Sequence, residues 1–148
     1  MLPADNKNSR HAPLVLLHER EFMVRKTFGL FASETNLAEV IETSEIRQAK
    51  IKLSAQPFDV IILGFDAWLE EIHLIQLIRD NMTLSDKNVP IITILPNVTT
   101  NQIDELKQLS VNEIILKPAR IKTIQKAFMN SYKQLGMPPT NSLNVVNT

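Results

Sequence analysis

Short apolar segments alternate with amphipathic segments along most of this chain. Five apolar segments are four to seven residues long and are bounded by polar or turn-forming residues, which is typical of strands. These predicted strands are 13–18, 38–43, 59–64, 89–95 and 113–116. The amphipathic segments predict helices at about 20–33, from Ser44 onward, and at about 68–81, 99–109 and 120–134.

The spacing of the predicted strands indicates a parallel sheet. Every gap between two strands is long enough for a helical crossover, which parallel neighbours require. The segment VPIITIL (89–95) is a nearly continuous apolar run rather than an alternating one, as expected for a strand covered on both faces. We therefore predict an α/β fold, a doubly wound five-stranded parallel sheet with helices on both faces.

The two ends of the chain differ in composition from the segment between them. Residues 1–12 are polar and without periodicity, so they predict a flexible arm. The C-terminal stretch 136–148 begins with glycine and contains two prolines, which predicts a flexible tail. One domain, 13–135, is left between them, and few residues follow it, so we expect no separate output domain.

Charge and composition exclude several classes of function. The 148 residues contain 16 basic and 16 acidic side chains, so no net field attracts nucleic acid or an anionic membrane. No cysteine is present, which excludes disulfides and thiolate metal sites and suits a reducing compartment. No apolar run approaches the ~20 residues of a membrane helix, and the N-terminus lacks a signal-peptide pattern. We expect a cytoplasmic protein.

The residues that end the predicted strands are the candidates for chemistry. Carboxyl ends of parallel strands gather at one edge of a sheet, where ligands bind. These residues are His18 and Glu19 after the first strand, Gly64 to Asp66 after the third, Leu95 and Pro96 after the fourth, and Lys117 and Pro118 after the fifth.

Three segments give this chain a resemblance to a known family. The stretch DVIIL before Gly64, VPIITIL, and above all VNEIILKP (111–118) resemble bacterial response-regulator receiver domains of the CheY type. The resemblance covers roughly residues 13–133. It implies a flavodoxin-like (βα)5 fold and a place in two-component signal transduction.

The resemblance also implies a phosphorylation pocket that this chain has largely lost. Receivers hold Mg²⁺ with acids after the first strand and phosphorylate an aspartate that ends the third. A hydroxyl residue and a lysine on the next strands contact the phosphoryl group. By position, this degenerate pocket comprises His18, Glu19, Gly64, Asp66, Leu95 and Lys117. Glycine cannot accept a phosphoryl group and leucine cannot bond one, so the chain resembles a pseudo-receiver.

The implied function is that of a stand-alone regulatory protein rather than an enzyme. We expect no catalytic residue, cofactor or metal, and an action through protein–protein contact that does not depend on phosphorylation. Receivers commonly dock or dimerise through the face of the fourth helix, fifth strand and fifth helix. That face would include Gln102, Glu105, Ile114, Arg120 and Thr123. The partner would be a signalling protein or a second copy, with neither nucleic acid nor membrane involved.

Two alternatives stay open from the sequence. In the first, the chain is an atypical receiver phosphorylated at Asp66, with Glu19 and Lys117 assisting. In the second, it is a small-ligand sensor whose emptied pocket is lined by Gly64, Leu95 and Pro96 and is therefore more apolar than in receivers. Lys117 without a phosphoryl group is expected to pair with Glu19 or Asp66 instead.

Overall fold

The computed structural model describes residues 12–133 and the backbone of residues 144–147. The strands are β1 (Leu14–His18), β2 (Glu39–Thr43), β3 (Val60–Gly64), β4 (Ile91–Leu95), β5 (Glu113–Leu116) and β6 (Asn144–Asn147). The helices are α1 (Phe22–Glu34), α2 (Ile46–Ala55), α3 (Leu69–Arg79), α4 (Thr100–Gln108) and α5 (Ile121–Lys133). Each predicted strand and helix is present, with ends that differ from the predicted ones by a few residues.

All strand pairs are parallel, in the spatial order β2-β1-β3-β4-β5-β6. The first five strands and their helices confirm the predicted doubly wound α/β fold. β6 was not predicted, because the segment 136–148 carries the turn-forming residues of a tail. Four residues of that segment pair with β5, so the prediction of a flexible tail is wrong for them. Residues 1–11 of the predicted arm, 134–143 and 148 lie outside the described part.

Alternate residues of each strand point to opposite layers of the core. Leu16, Ile61 and Leu63 pack with α2, α3 and α4 on one face of the sheet. Val15, Leu17 and Ile62 pack with α1 and α5 on the other face. Every residue of β3 and β4 is buried, which accounts for their nearly continuous apolar sequences. The two layers fix where the loops after β1, β3 and β5 emerge, at one edge of the sheet.

Arg79, the last residue of α3, joins this helix to two loops at the opposite edge of the sheet. Its guanidinium group donates to four backbone carbonyls, those of Leu109 (2.8 Å), Lys87 (2.7 Å), Val89 (2.8 Å) and Ser110 (3.1 Å). Burial lowers the pKa of Arg79 to about 10, so the side chain remains charged at neutral pH. A planar fork of donors is the chemistry that can satisfy several carbonyls at once.

We expect Arg79→Met to lower the free energy of unfolding by about 2–4 kcal/mol, because partly buried carbonyls would lose their donors. Urea denaturation followed by circular dichroism measures the change. Arg120→Met removes an exposed arginine and serves as the control, with an expected change below about 0.5 kcal/mol. Equal losses in the two variants would show that the carbonyl contacts of Arg79 add nothing.

Candidate functional site

The carboxyl ends of β1, β3 and β5 bring four of the six predicted pocket residues together. Glu19, Gly64, Asp66 and Lys117 line one cavity of about 240 Å³. His18 lines a different cavity. Leu95 is 2% exposed and belongs to the apolar core.

An ion pair between Glu19 and Lys117 lies next to Gly64, the last residue of β3. The Nζ atom of Lys117 lies 3.1 Å from Oε2 of Glu19 and 3.1 Å from Oε1 of Glu21. The backbone N–H of Glu21 also donates to Oε2 of Glu19, at 2.8 Å. The predicted pairing of Lys117 with Glu19 is therefore present, and Glu21 completes it. Asp66, the other partner suggested by the sequence, pairs with Arg20 instead.

The Glu19 side chain is 2% exposed, so its charge is compensated inside the protein rather than by water. Burial alone would lower the pKa of Lys117, but the hydrogen bonds and charges of Glu19 and Glu21 outweigh burial and raise it. Lys117 therefore stays protonated at neutral pH. A buried carboxylate with a charged, hydrogen-bonded partner is a stable arrangement, whereas the same carboxylate alone would be costly.

Gly64 leaves the space that the Glu19 carboxylate occupies. A β-carbon added to Gly64 would overlap Oε1 of Glu19 and would lie 3.2 Å from the carbonyl oxygen of His18. Oε1 is buried and has no hydrogen-bond partner within the described residues. A side chain at position 64 would therefore require the Glu19 carboxylate to move from its present position.

Asp66 lies at the mouth of this cavity and binds Arg20. Its Oδ2 atom accepts a hydrogen bond from Nη1 of Arg20 at 2.9 Å, with both side chains more than half exposed. The loop that carries Asp66 is held by the buried carboxylate of Glu71, which accepts hydrogen bonds from the backbone N–H groups of Asp66 and Ala67 at 3.1 and 3.2 Å. An acid in the first turn of a helix often caps in this way, although Glu71 was not among the residues predicted from the sequence.

His18 lies beside β2. Its Nδ1 atom and Oγ1 of Thr43 are 2.9 Å apart, and the residue is 4% exposed. Burial lowers the pKa of His18, more than the charges of Glu71 and Glu19 raise it, so the ring is neutral at neutral pH. A neutral ring with one nitrogen bonded to a threonine still has a second nitrogen available.

The expected apolar pocket is not present. The cavity next to Gly64 is lined by charged side chains, among them Glu19, Arg20 and Lys117, and Leu95 does not reach it. Leu95 points into the layer of α3 and α4 because side chains alternate along β4. Leu95 was predicted to line a pocket because it ends a strand, and this prediction was wrong.

A second, larger cavity of about 490 Å³ lies between the loops that follow β1, β2 and β3. His18, Arg20 and Arg25 line it from the β1 side, and Asp66, Glu70 and Glu71 from the β3 side. Arg20 and Asp66 also line the cavity at Gly64, so their ion pair stands between the two spaces. No group of three or more acidic or histidine side chains within the described residues is arranged to hold a metal ion.

The predicted partner face has one member that cannot contact a partner directly. Ile114 is fully buried in the core, so its inclusion was wrong. Arg120 is exposed, and Gln102, Glu105 and Thr123 are half-buried. Gln102 also closes a capping box with Thr99 at the start of α4, accepting from the Thr99 N–H at 3.0 Å. β6 lies along the edge of β5, next to this face.

Comparison with known proteins identifies the fold. No family model and no curated protein matches the sequence. Among solved structures, the chemotaxis protein CheY4 of Vibrio cholerae is similar with a TM-score of 0.71 and 19% identity over 81% of this chain and 98% of that one. An orphan response regulator of H. pylori is similar with a TM-score of 0.68 and 13% identity, over 83% and 98%. A CheY-like receiver domain of Methanospirillum hungatei has a TM-score of 0.72 and 10% identity, over 83% and 95%.

These similarities show that the chain has the fold of CheY-like receiver domains. In the part of the chain that the structure describes, no helix combines the length and apolarity needed to span a bilayer.

We expect Gly64→Ala to destabilise the protein by about 2–4 kcal/mol, because the new β-carbon displaces the Glu19 carboxylate from Lys117. In a Glu19→Ala background the obstacle is gone, and the same change at position 64 should cost less than about 1 kcal/mol. Chemical denaturation of the four proteins of this cycle measures the coupling. An Asp104→Ala background, which changes an exposed acid on α4, is the control. A cost at position 64 that is the same in all three backgrounds would contradict the packing argument.

Proposed function

We propose that this chain is a pseudo-receiver, a signalling module that works by binding another protein and does not depend on phosphorylation. The observation that carries the proposal is the Glu19 carboxylate above Gly64. At the end of β3, where the resemblance to receivers implies a phosphate-accepting aspartate, the chain has no side chain at all. A carboxylate from the neighbouring strand end occupies the space.

The neighbouring groups support the same proposal. Lys117, which would bind a phosphoryl group in a receiver, is held by two glutamates at 3.1 Å each. The end of β4 offers Leu95, whose buried side chain has no hydroxyl group. The pocket is therefore closed by an internal ion pair, which supplies the negative charge that a phosphoryl group would otherwise bring to the lysine.

Phosphorylation at Asp66 has less support. The carboxylate of Asp66 is bound to Arg20 at 2.9 Å, and its loop is held by Glu71. A nucleophilic carboxylate needs a cation or metal beside the incoming phosphoryl group. The lysine of this edge, Lys117, is paired with Glu19 and Glu21.

Incubation with acetyl phosphate and Mg²⁺ tests the first half of the proposal. We expect no phosphorylated species on a phosphate-affinity gel, because the acceptor position is occupied by glycine and the lysine by glutamates. A CheY-type receiver treated alongside is the positive control. Stable phosphorylation that disappears in Asp66→Asn would overturn the proposal and establish Asp66 as the acceptor.

Affinity capture from the native cell tests the second half. We expect a signalling protein to be bound through the face that contains Gln102, Glu105, Arg120 and Thr123. Its capture should then be reduced at least tenfold with Arg120→Glu, because the change reverses the charge of the exposed residue of this set. Lys50→Glu makes the same charge change on α2, which is not part of the face, and should leave capture intact. A partner lost with Lys50→Glu and kept with Arg120→Glu would place the interface elsewhere.

A further inference from the structure

The larger cavity at the carboxyl edge of the sheet has the properties of a binding site. It lies between the loops after β1 and β3, on either side of the point where the strand order reverses. In open α/β sheets this crevice is where ligands bind. Its volume of about 490 Å³ is in the range of small-molecule sites.

Negative charge predominates in its lining. Four acidic residues, Glu45, Asp66, Glu70 and Glu71, line the cavity together with two arginines, Arg20 and Arg25. Both arginines already have acidic partners. Arg20 binds Asp66, and Arg25 reaches out of the cavity to Glu42.

Three carboxylates are left without a cation. Within residues 12–133, neither Glu45, Glu70 nor Glu71 takes part in an ion pair. Glu45 and Glu71 accept hydrogen bonds from backbone N–H groups, which leaves their charge in place. Like charges around one partly enclosed space repel, and a cation between them relieves the repulsion.

The ring of His18 adds an uncharged acceptor. The residue is 4% exposed and lines the cavity, with Nδ1 committed to Thr43 at 2.9 Å. No hydrogen bond to Nε2 forms among the described residues. When Nδ1–H donates to Thr43, Nε2 is a free acceptor for an N–H group of a ligand.

We propose that this cavity binds a small organic cation that carries a primary ammonium group. The ammonium group donates to His18 Nε2 and to the carboxylate of Glu70 or Glu71, and it needs no other counter-ion. Small anions are disfavoured by the excess of carboxylates. Direct metal binding is disfavoured because no three ligating side chains among residues 12–133 converge on one point.

Binding in this cavity would also affect the smaller cavity beside Gly64. Asp66 and Arg20 line both cavities, and their ion pair is exposed and therefore weak. A ligand ammonium near Glu70 competes with Arg20 for Asp66. The cation thus acts on the loop that follows β3, next to the Glu19–Lys117 pair.

Putrescine is a suitable probe because it carries two primary ammonium groups and no acid. We expect saturable binding, followed by the NMR signals of the histidine ring nitrogens at constant ionic strength. The Nε2 signal of His18 should shift as a ligand N–H approaches it. His73, on the exposed side of α3, is the control in the same spectra and should not move.

Glu70→Gln removes an exposed unpaired carboxylate and leaves the core intact. We expect it to weaken putrescine binding about tenfold, the size of one charge-assisted contact. Asp104→Asn removes an exposed acid on α4 and should leave the affinity unchanged. Equal affinity in the wild type and both variants, or no saturable shift of His18, would overturn the assignment.

Two further probes separate the ammonium group from other ligands. Mg²⁺ and inorganic phosphate, each at matched ionic strength, should not reproduce the shift of His18. If either does so with higher affinity than putrescine, the site is a metal or anion site and the proposal is wrong. The outcome of this test does not depend on the proposed lack of phosphorylation. The NMR titration measures binding directly and uses no phosphate donor.

Discussion

The Glu19 carboxylate, packed above Gly64 and paired with Lys117, is the contact on which the whole carboxyl edge of the sheet depends. Three strand ends contribute to it, those of β1, β3 and β5. The Glu19 carboxylate, which is 2% exposed, is stabilised by two conditions, a cation beside it and room to reach that cation. Lysine supplies the first condition and glycine the second. A substitution of Glu19, Gly64 or Lys117 would therefore disturb the packing or the ion pair of the other two.

This arrangement explains why the acidic residues of the edge have different partners. Glu19 and Glu21 take Lys117, so Asp66 is left to Arg20 at the surface. Glu71, buried at the start of α3, takes the free N–H groups of the loop instead of a cation. The edge is therefore divided into a small cavity closed by an ion pair and a larger one with unpaired carboxylates. The Arg20–Asp66 pair, which lines both, is the contact by which a change in one space reaches the other.

Strand positions were predictable because burial on both faces demands an apolar residue at every position. β3 and β4 meet that demand except at Thr93, whose hydroxyl group donates to the Glu113 carbonyl, and local sequence therefore determines them. β6 was missed, since four residues among turn-forming neighbours show no such pattern. From the resemblance to receivers, Leu95 was predicted to line a pocket and Ile114 to lie on a partner face. The alternation of side chains along β4 and β5 turns both into the core.

The sequence by itself determined the fold and the absence of an acid at position 64, because apolar periodicity and the identity of a residue are local properties. It also suggested Glu19 or Asp66 as the partner of Lys117, but it did not suggest Glu21. Which acid pairs with it was decided by the tertiary structure, since Glu19 and Lys117 are far apart in the chain and meet only when β1 and β5 flank β3 and β4. The role of Gly64 was decided there too. A glycine in a sequence shows only that a side chain is missing, whereas the folded sheet shows which neighbouring group fills the space.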